Sequence, residues 1–347
     1  MNRILNEDFE NILKEDLAWE KFKGAHVLIT GASGMLGSYM TGVLLKLNEQ
    51  KNYNMRITAL VRHPGKLPEE FRDKVDVLCQ SVTEPIAWDS PYDFVIHTAS
   101  PASPLIMRDD PVGTVAANTL GTFYTLKAAQ ESHAKGYLFI SSREIYGQPY
   151  DHQERFTEDT YGFVNPLSPR SCYPEGKKAA ETMCVCFKQQ YGLNVKIARL
   201  AHTFGPGMSI DDGRVQADFL RNVVRNEDIV LKSEGLPIRT YTYVTDAVCA
   251  LFYILLNSDD IVYNISSEES TVSIRQLAQT LVDAYPERGL KLVFDIPKDT
   301  GNTGCAPFTL GILNSDKLKA LGWKPIYTLE EGLKRTVTYL ESEGQKK

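Results

Sequence analysis

Long apolar runs are missing from this chain. No stretch approaches the ~20 consecutive apolar residues that carry a helix across a bilayer, so no membrane partner is expected. The first ten residues include acids and no continuous apolar segment, which argues against a secretory leader and for a cytoplasmic protein. Cysteine is scarce: six in 347 residues make no disulfide framework in a chain of this size. Cys184 and Cys186 form a Cys-x-Cys on an expected helix, where they point in different directions and lack a second ligand pair. No metal is therefore expected, and the thiols read as free and buried. An excess of positive charge is also missing. The net charge is -6 with no basic stripe, which excludes a nucleic-acid partner. Repeats and low-complexity tracts are absent. What remains is a globular composition, 43% apolar and 24% charged, with room for one large domain or two modest ones.

Short apolar runs do recur, at 26–30, 56–61, 75–78, 94–97, 137–140 and 195–200. Stretches with helical periodicity lie between several of them, notably 114–132 and 177–191. Strands alternating with helices predict an α/β fold, a doubly wound parallel sheet covered on both faces. Ile4, Leu5, Phe9, Ile12, Leu13 and Leu17 have the spacing of an amphipathic helix within 1–22, lying on the domain or on a partner subunit. The main domain is expected over 23–203. A strand-like run at 239–244 returns toward the sheet, so 234–265 rejoins the main domain. A smaller lobe takes 204–233 and 266–347 and closes over the substrate.

The first strand runs into Gly31-Ala32-Ser33-Gly34-Met35-Leu36-Gly37 and then a helix. Strand, glycine turn and helix are the context of a dinucleotide site. Gly31 permits the tight turn, Gly34 lets backbone approach a pyrophosphate, and Gly37 lets the helix pack close to the strand. The spacing is G-x-x-G-x-x-G, and a glycine turn without a ligand is the alternative. Arg62 follows the second strand, where an acid would hold the ribose of NAD; it either neutralises the extra phosphate of NADP or is a solvated charge. Tyr173 and Lys177 stand one helical turn apart. An ammonium beside a phenol lowers its pKa, and the phenolate can take a proton from a sugar hydroxyl. Ordinary exposed helices carry the same spacing.

With Ile140-Ser141-Ser142-Arg143-Glu144-Ile145-Tyr146-Gly147 standing between those two motifs, the chain resembles the extended short-chain dehydrogenase/reductases. Within them it looks most like the UDP-glucuronate decarboxylases, through His97-Thr98-Ala99-Ser100-Pro101-Ala102-Ser103-Pro104, Asn165-Pro166, Pro169-Arg170-Ser171-Cys172-Tyr173 and Glu175-Gly176-Lys177. Thr203-Phe204-Gly205-Pro206, Asp212-Gly213-Arg214-Val215 and Gly322-Trp323-Lys324-Pro325 agree as well. The resemblance implies a Rossmann-like sheet with a substrate lobe and a tightly bound NAD, with NADP open because of Arg62. The NAD would be held by Gly31, Ser33, Gly34, Met35, Leu36, Val82, Thr98, Ala99, Tyr173 and Lys177. Ser142 would hydrogen-bond the sugar O4, Tyr173 act as base, and Lys177 orient the nicotinamide ribose. Glu144 would handle protons after oxidation, and Asn118 brace the site. Arg214 and Arg239 would contact a nucleotide-sugar substrate, most naturally a UDP-sugar. Helices at 114–132 and 177–191 would form a four-helix homodimer interface.

The chemistry so implied oxidises C4 to a ketone, whereupon a carboxylate at C5 leaves as carbon dioxide and the hydride returns. Epimerases and 4,6-dehydratases use the same ketone. Three departures bear on the choice. Arg143 stands where the decarboxylases have serine and the dehydratases aspartate; arginine cannot protonate a leaving hydroxyl, which counts against dehydration. Its guanidinium either holds a uronate carboxylate or turns away onto a surface acid. His202 replaces an asparagine that contacts substrate phosphates, and either still donates to a phosphate as a substrate-binding residue or is structural; Ser81 replaces an aspartate that meets adenine. Decarboxylation of a UDP-uronate is the first expectation, 4-epimerisation the second and dehydration the third. A catalytically silent binding protein and a net NADPH-consuming reductase are the competing classes.

Overall fold

The computed structural model describes residues 1–347 except 88, 150–152, 154, 212, 297–311 and 345–347. Asp212 of the matching stretch and Cys305 lie outside the described residues.

Six parallel strands follow the expected apolar runs: β1 His26–Thr30, β2 Arg56–Val61, β3 Asp76–Cys79, β4 Phe94–His97, β5 Gly136–Ser142 and β6 Val195–Leu200. A seventh, β7 Val262–Ile265, completes a sheet in the order β7-β6-β5-β4-β1-β2-β3. Side chains alternate across it. Val27 and Ile29 of β1 enter one core cluster and Leu28 the other, as a period of two requires. All five β1 residues are buried, the mark of a strand covered on both sides. Only β3, at the edge, is largely exposed. The expected return of 239–244 to this sheet is corrected. Ile238–Tyr243 forms a strand, but in a separate three-stranded sheet, parallel to His202–Phe204 and antiparallel to Thr271–Ser273.

The principal helices are α1 Arg3–Leu13, α2 Met35–Lys51, α3 Pro111–Glu131, α4 Cys172–Tyr191, α5 Val244–Asn257 and α6 Leu329–Gly344. The amphipathic helix is shorter than 1–22, because burying Trp19 and Phe22 against Phe252 and Phe94 needs a turn after α1. It lies on its own protomer. Phe9 meets Tyr39 edge-on at 5.3 Å, over Gly42, where a Cβ would come within 2.3 Å of the Phe9 ring. Asp8 is fully buried: Oδ2 accepts from the Tyr39 and Tyr243 hydroxyls at 2.8 Å each, and Oδ1 from Arg335 at 2.7 Å. Asn2 donates to Ser342 at 2.7 Å, joining the first turn to the last helix. The expectation of uniformly buried thiols is also corrected. All five described cysteines are free, but only Cys184 and Cys249 are buried, while Cys79 and Cys186 are exposed. One helical step of two residues turns Cys186 to the opposite face from Cys184.

A pH dependence is built into α5. Asp246 Oδ1 accepts from the Ile326 amide at 2.7 Å, Oδ2 has no partner among the described residues, and burial pushes the carboxyl up to about 7. A raised folded pKa means that the folded chain holds a proton the unfolded chain has released. Stability therefore falls as pH rises from about 4 to about 7, then levels. Urea titrations of Asp246→Asn across that window are expected to lose this part of the slope. An unchanged slope would reject the assignment.

Candidate active site

β1 ends at Thr30, and the chain must turn at once to start α2 over the sheet. Gly31 makes that turn at φ +67, and a Cβ there would stand 2.8 Å from the Ala99 Cα. Gly37 has less room still, since its Cβ would lie 2.3 Å from the Gly31 carbonyl. At Gly34 the nearest atom to a Cβ would be 3.3 Å away, and this glycine caps α2 with no side-chain hydrogen bond. The protein thus fills the space at the first and third glycines and leaves the second facing outward, at the positive end of a long helix. Ser33, Met35 and Leu36 line the same turn, part-exposed. Thr98 donates to the Thr30 carbonyl at 2.6 Å, and the Ala99 amide to Thr30 Oγ1 at 3.2 Å, so the ends of β1 and β4 are tied together. Val82 is buried against Gly121 of α3. Ser81 Oγ pairs with Thr83 Oγ1 at 2.7 Å. Arg62 is exposed just past β2.

The second half of the site sits where β5 ends against the start of α4. Ser142, the last residue of β5, stands beside the Tyr173 phenol and accepts from the Glu144 amide at 3.2 Å. Asn118 of α3 accepts from Ser100 at 2.8 Å and donates to the Thr114 carbonyl at 2.8 Å. It packs against Gly176, one turn along α4 from Tyr173, where a Cβ would be 3.0 Å from its own. Lys177 is buried over the Phe139 ring and donates to the Ile140 carbonyl at 2.6 Å.

The expected lowering of the phenol is corrected. Burial, then the charge of Glu144, pushes Tyr173 up to about 12, and desolvation brings Lys177 down to about 7. The ammonium points to a backbone carbonyl and stands 5.8 Å from the tyrosine ring centre. A dry site disfavours either charge when the pair is not in direct contact.

Arg143 does not turn onto a surface acid. It is buried, with NH1 3.3 Å from His202 Nδ1, and its Nε and NH2 have no partner among the described residues. Burial and the neighbouring Arg239 bring its pKa down to about 9. His202 is held far below its usual value by burial and by Arg143, Arg239 and Arg214, so it is neutral. Glu144 Oε1 accepts from Arg170 at 2.8 Å while Oε2 is buried without a partner. Two residues of this cluster were not picked out from the sequence, Arg170 and Tyr241. Arg170 stood inside the matching Pro169–Tyr173 stretch, a usable signal; Tyr241 gave none, because only the pairing of its strand with His202–Phe204 brings it here. Arg143 Nε and NH2, Glu144 Oε2, Arg170 NH1 and Tyr241 OH are all buried and unpartnered among the described residues. Orphan polar atoms on four neighbouring side chains mark a place made for a polar ligand.

A family model described as the NAD dependent epimerase/dehydratase family matches residues 27–266. UDP-glucuronic acid decarboxylase 6 of Arabidopsis thaliana is 32% identical over 88% of this chain and 86% of its own. UDP-glucuronic acid decarboxylase 1 of Xenopus tropicalis is 32% identical over 91% and 72%. Among solved structures, UDP-glucose 4-epimerase of Thermotoga maritima superposes with a TM-score of 0.75 at 24% identity, covering 92% of this chain and 99% of that one. The Bacillus cereus UDP-glucuronic acid 4-epimerase bound to UDP-glucuronic acid and NAD gives 0.72 at 19%, with coverage of 92% and 99%. In sheet order, glycine turn and sequence alike, the chain belongs to the NAD dependent epimerase/dehydratase family of enzymes.

Proposed function

We propose that the chain modifies a nucleotide sugar through transient oxidation at C4, and that its substrate is a UDP-uronate which it decarboxylates. The observation that carries this is the buried Tyr173 phenol with Ser142 beside it at the end of β5, next to Arg143 nitrogens that have no partner among the described residues. The turn at Gly31–Gly37 suits the pyrophosphate of NAD, and Arg62 keeps NADP in view. NAD held there would supply the acceptor for a C4 hydride and the means of its return. Ser142 holds the C4 oxygen and Tyr173 takes its proton, and the same phenol returns it when the ketone is reduced. Glu144, with one oxygen held by Arg170 and the other unpartnered, is placed to exchange a proton with the sugar once carbon dioxide has left. Lys177 fixes the end of β5 through Ile140 and positions the ribose.

Uronate 4-epimerisation is the second reading, and Arg143 favours it. A buried guanidinium that grips the carboxylate stabilises the ground state, whereas decarboxylation dissipates that charge. Mass spectrometry of the denatured protein is expected to release NAD. Incubation with UDP-glucuronate should then give a product lighter by carbon dioxide. An unchanged mass with a new proton spectrum establishes epimerisation, and no reaction with any UDP-uronate rejects both readings.

The homodimer belongs to this proposal. Leu120 and Phe123 of α3 and Val185 and Tyr191 of α4 are exposed, with Phe123 and Phe187 6.2 Å apart. Apolar side chains on two adjacent helices suit a second copy. Sedimentation at micromolar concentration is expected to give twice the chain mass, falling toward the monomer in Phe123→Glu. A cytoplasmic setting is likewise part of the proposal, supported by the free thiols; among the described residues no helix is long and apolar enough to cross a membrane.

A further inference from the structure

By the resemblance drawn from the sequence, His202 stands where a phosphate-contacting asparagine is expected and Arg143 where a serine is expected. The two departures touch each other, with NH1 of one 3.3 Å from Nδ1 of the other. Arginine has only donors, so Nδ1 accepts and the ring proton sits on Nε2. The Thr240 backbone lies beside the same ring. The Tyr241 ring packs alongside at 5.7 Å between centres. The histidine thus has a fixed grip on one guanidinium nitrogen.

The consequence falls on Arg143. With NH1 held, the planar fork is oriented, and Nε and NH2 form the remaining edge, buried and unpartnered among the described residues. Two parallel N–H donors on one edge match the two oxygens of a carboxylate. Ser142, the neighbour of Arg143, stands beside the Tyr173 phenol, so this edge belongs to the reacting end of the pocket. We infer that Arg143 and His202 act as one unit that reads the carboxylate of a sugar acid, Arg143 by contact and His202 as its positioning residue. This rests on the nucleotide-sugar reading above and extends it to the class of sugar that is selected.

The test compares UDP-glucuronate, UDP-glucose and UDP alone on the NAD-loaded enzyme, by calorimetry and by kcat/KM. Arg143→Ser is expected to cut the preference for UDP-glucuronate over UDP-glucose by about 10–100-fold while UDP binds as before. His202→Phe keeps the ring and removes the acceptor, and should produce a loss of the same kind. The double variant should lose no more than Arg143→Ser, the non-additivity of residues that work as one. His202→Asn, which restores an acceptor near the Nδ1 position, should recover part of the preference. Weakened binding of UDP itself in His202→Phe would overturn the inference and make the histidine a phosphate ligand. An unchanged preference in Arg143→Ser would overturn it too. If the unaltered enzyme binds no UDP-sugar, the proposed function fails along with it, an outcome distinct from the other two.

Discussion

Tyr173→Phe is expected to lower turnover of UDP-glucuronate by about 10²–10⁴-fold, the usual worth of a positioned proton acceptor. UDP should bind with unchanged affinity, since the substitution removes only the hydroxyl that meets Ser142. The phenol is also expected to leave a mark on the pH profile. It must ionise to act, and burial and Glu144 hold its pKa at about 12, so activity should climb with pH over the range where it gains the phenolate form. Glu144→Gln removes the second of those causes, and should move the climb to lower pH even if the maximal rate falls. Turnover within a few-fold of the unaltered enzyme in Tyr173→Phe would remove Tyr173 from the chemistry and revive the silent binding protein.

The largest effect on stability is expected far from that pocket, at Asp8. Its carboxylate joins α1, α2, the Ile238–Tyr243 strand and α6 through Tyr39, Tyr243 and Arg335. Asp8→Ala leaves Arg335 with only Glu7, at 3.0 Å, as its acid among the described residues and strands two buried hydroxyls. Removing one partner of a buried pair costs about 3–5 kcal/mol. Chemical denaturation is the measurement. Arg335→Ala should cost a similar amount, and the double variant less than the sum, because both changes break the same contacts. A loss within about 0.5 kcal/mol for Asp8→Ala would mean that α1 is held by its other contacts, chiefly buried Ile4, Phe9 and Ile12.

Those two sites differ in how far the sequence announced them. The glycine turn, the serine that ends β5 and the Tyr173/Lys177 pair are local patterns: each is a strand end or one helical turn, and each reads directly from spacing. Strands β1, β2 and β6 occupy the ranges their apolar runs suggested. Asp8 is the contrary case. Its partners stand 31, 235 and 327 positions away, and an acid in an amphipathic helix gives no local sign of being buried. Residues 239–244 show a subtler limit. Their alternation announced a strand, but pairing is chosen by neighbours in space, and they joined His202–Phe204 instead of the main sheet. The same pairing delivered Tyr241 to the pocket and set His202 against Arg143. The phenol was misjudged for a related reason: spacing puts Lys177 one turn from Tyr173, but it does not say that the ammonium will turn to the Ile140 carbonyl in a dry interior.

The hydrogen bond from Asn2 to Ser342 makes the polypeptide close to a ring. Its first and last helices lie side by side, so a short flexible linker can join the ends without bending the backbone out of place. The gene can then be opened elsewhere, for instance at the turn around Asn52 and Asn54, which carries positive φ at both asparagines and leads out of α2. Such a permuted chain would still bring Asp8 to Arg335, now as near neighbours in sequence. A contact that spans 327 positions would become a local one, which shortens the loop that folding must close.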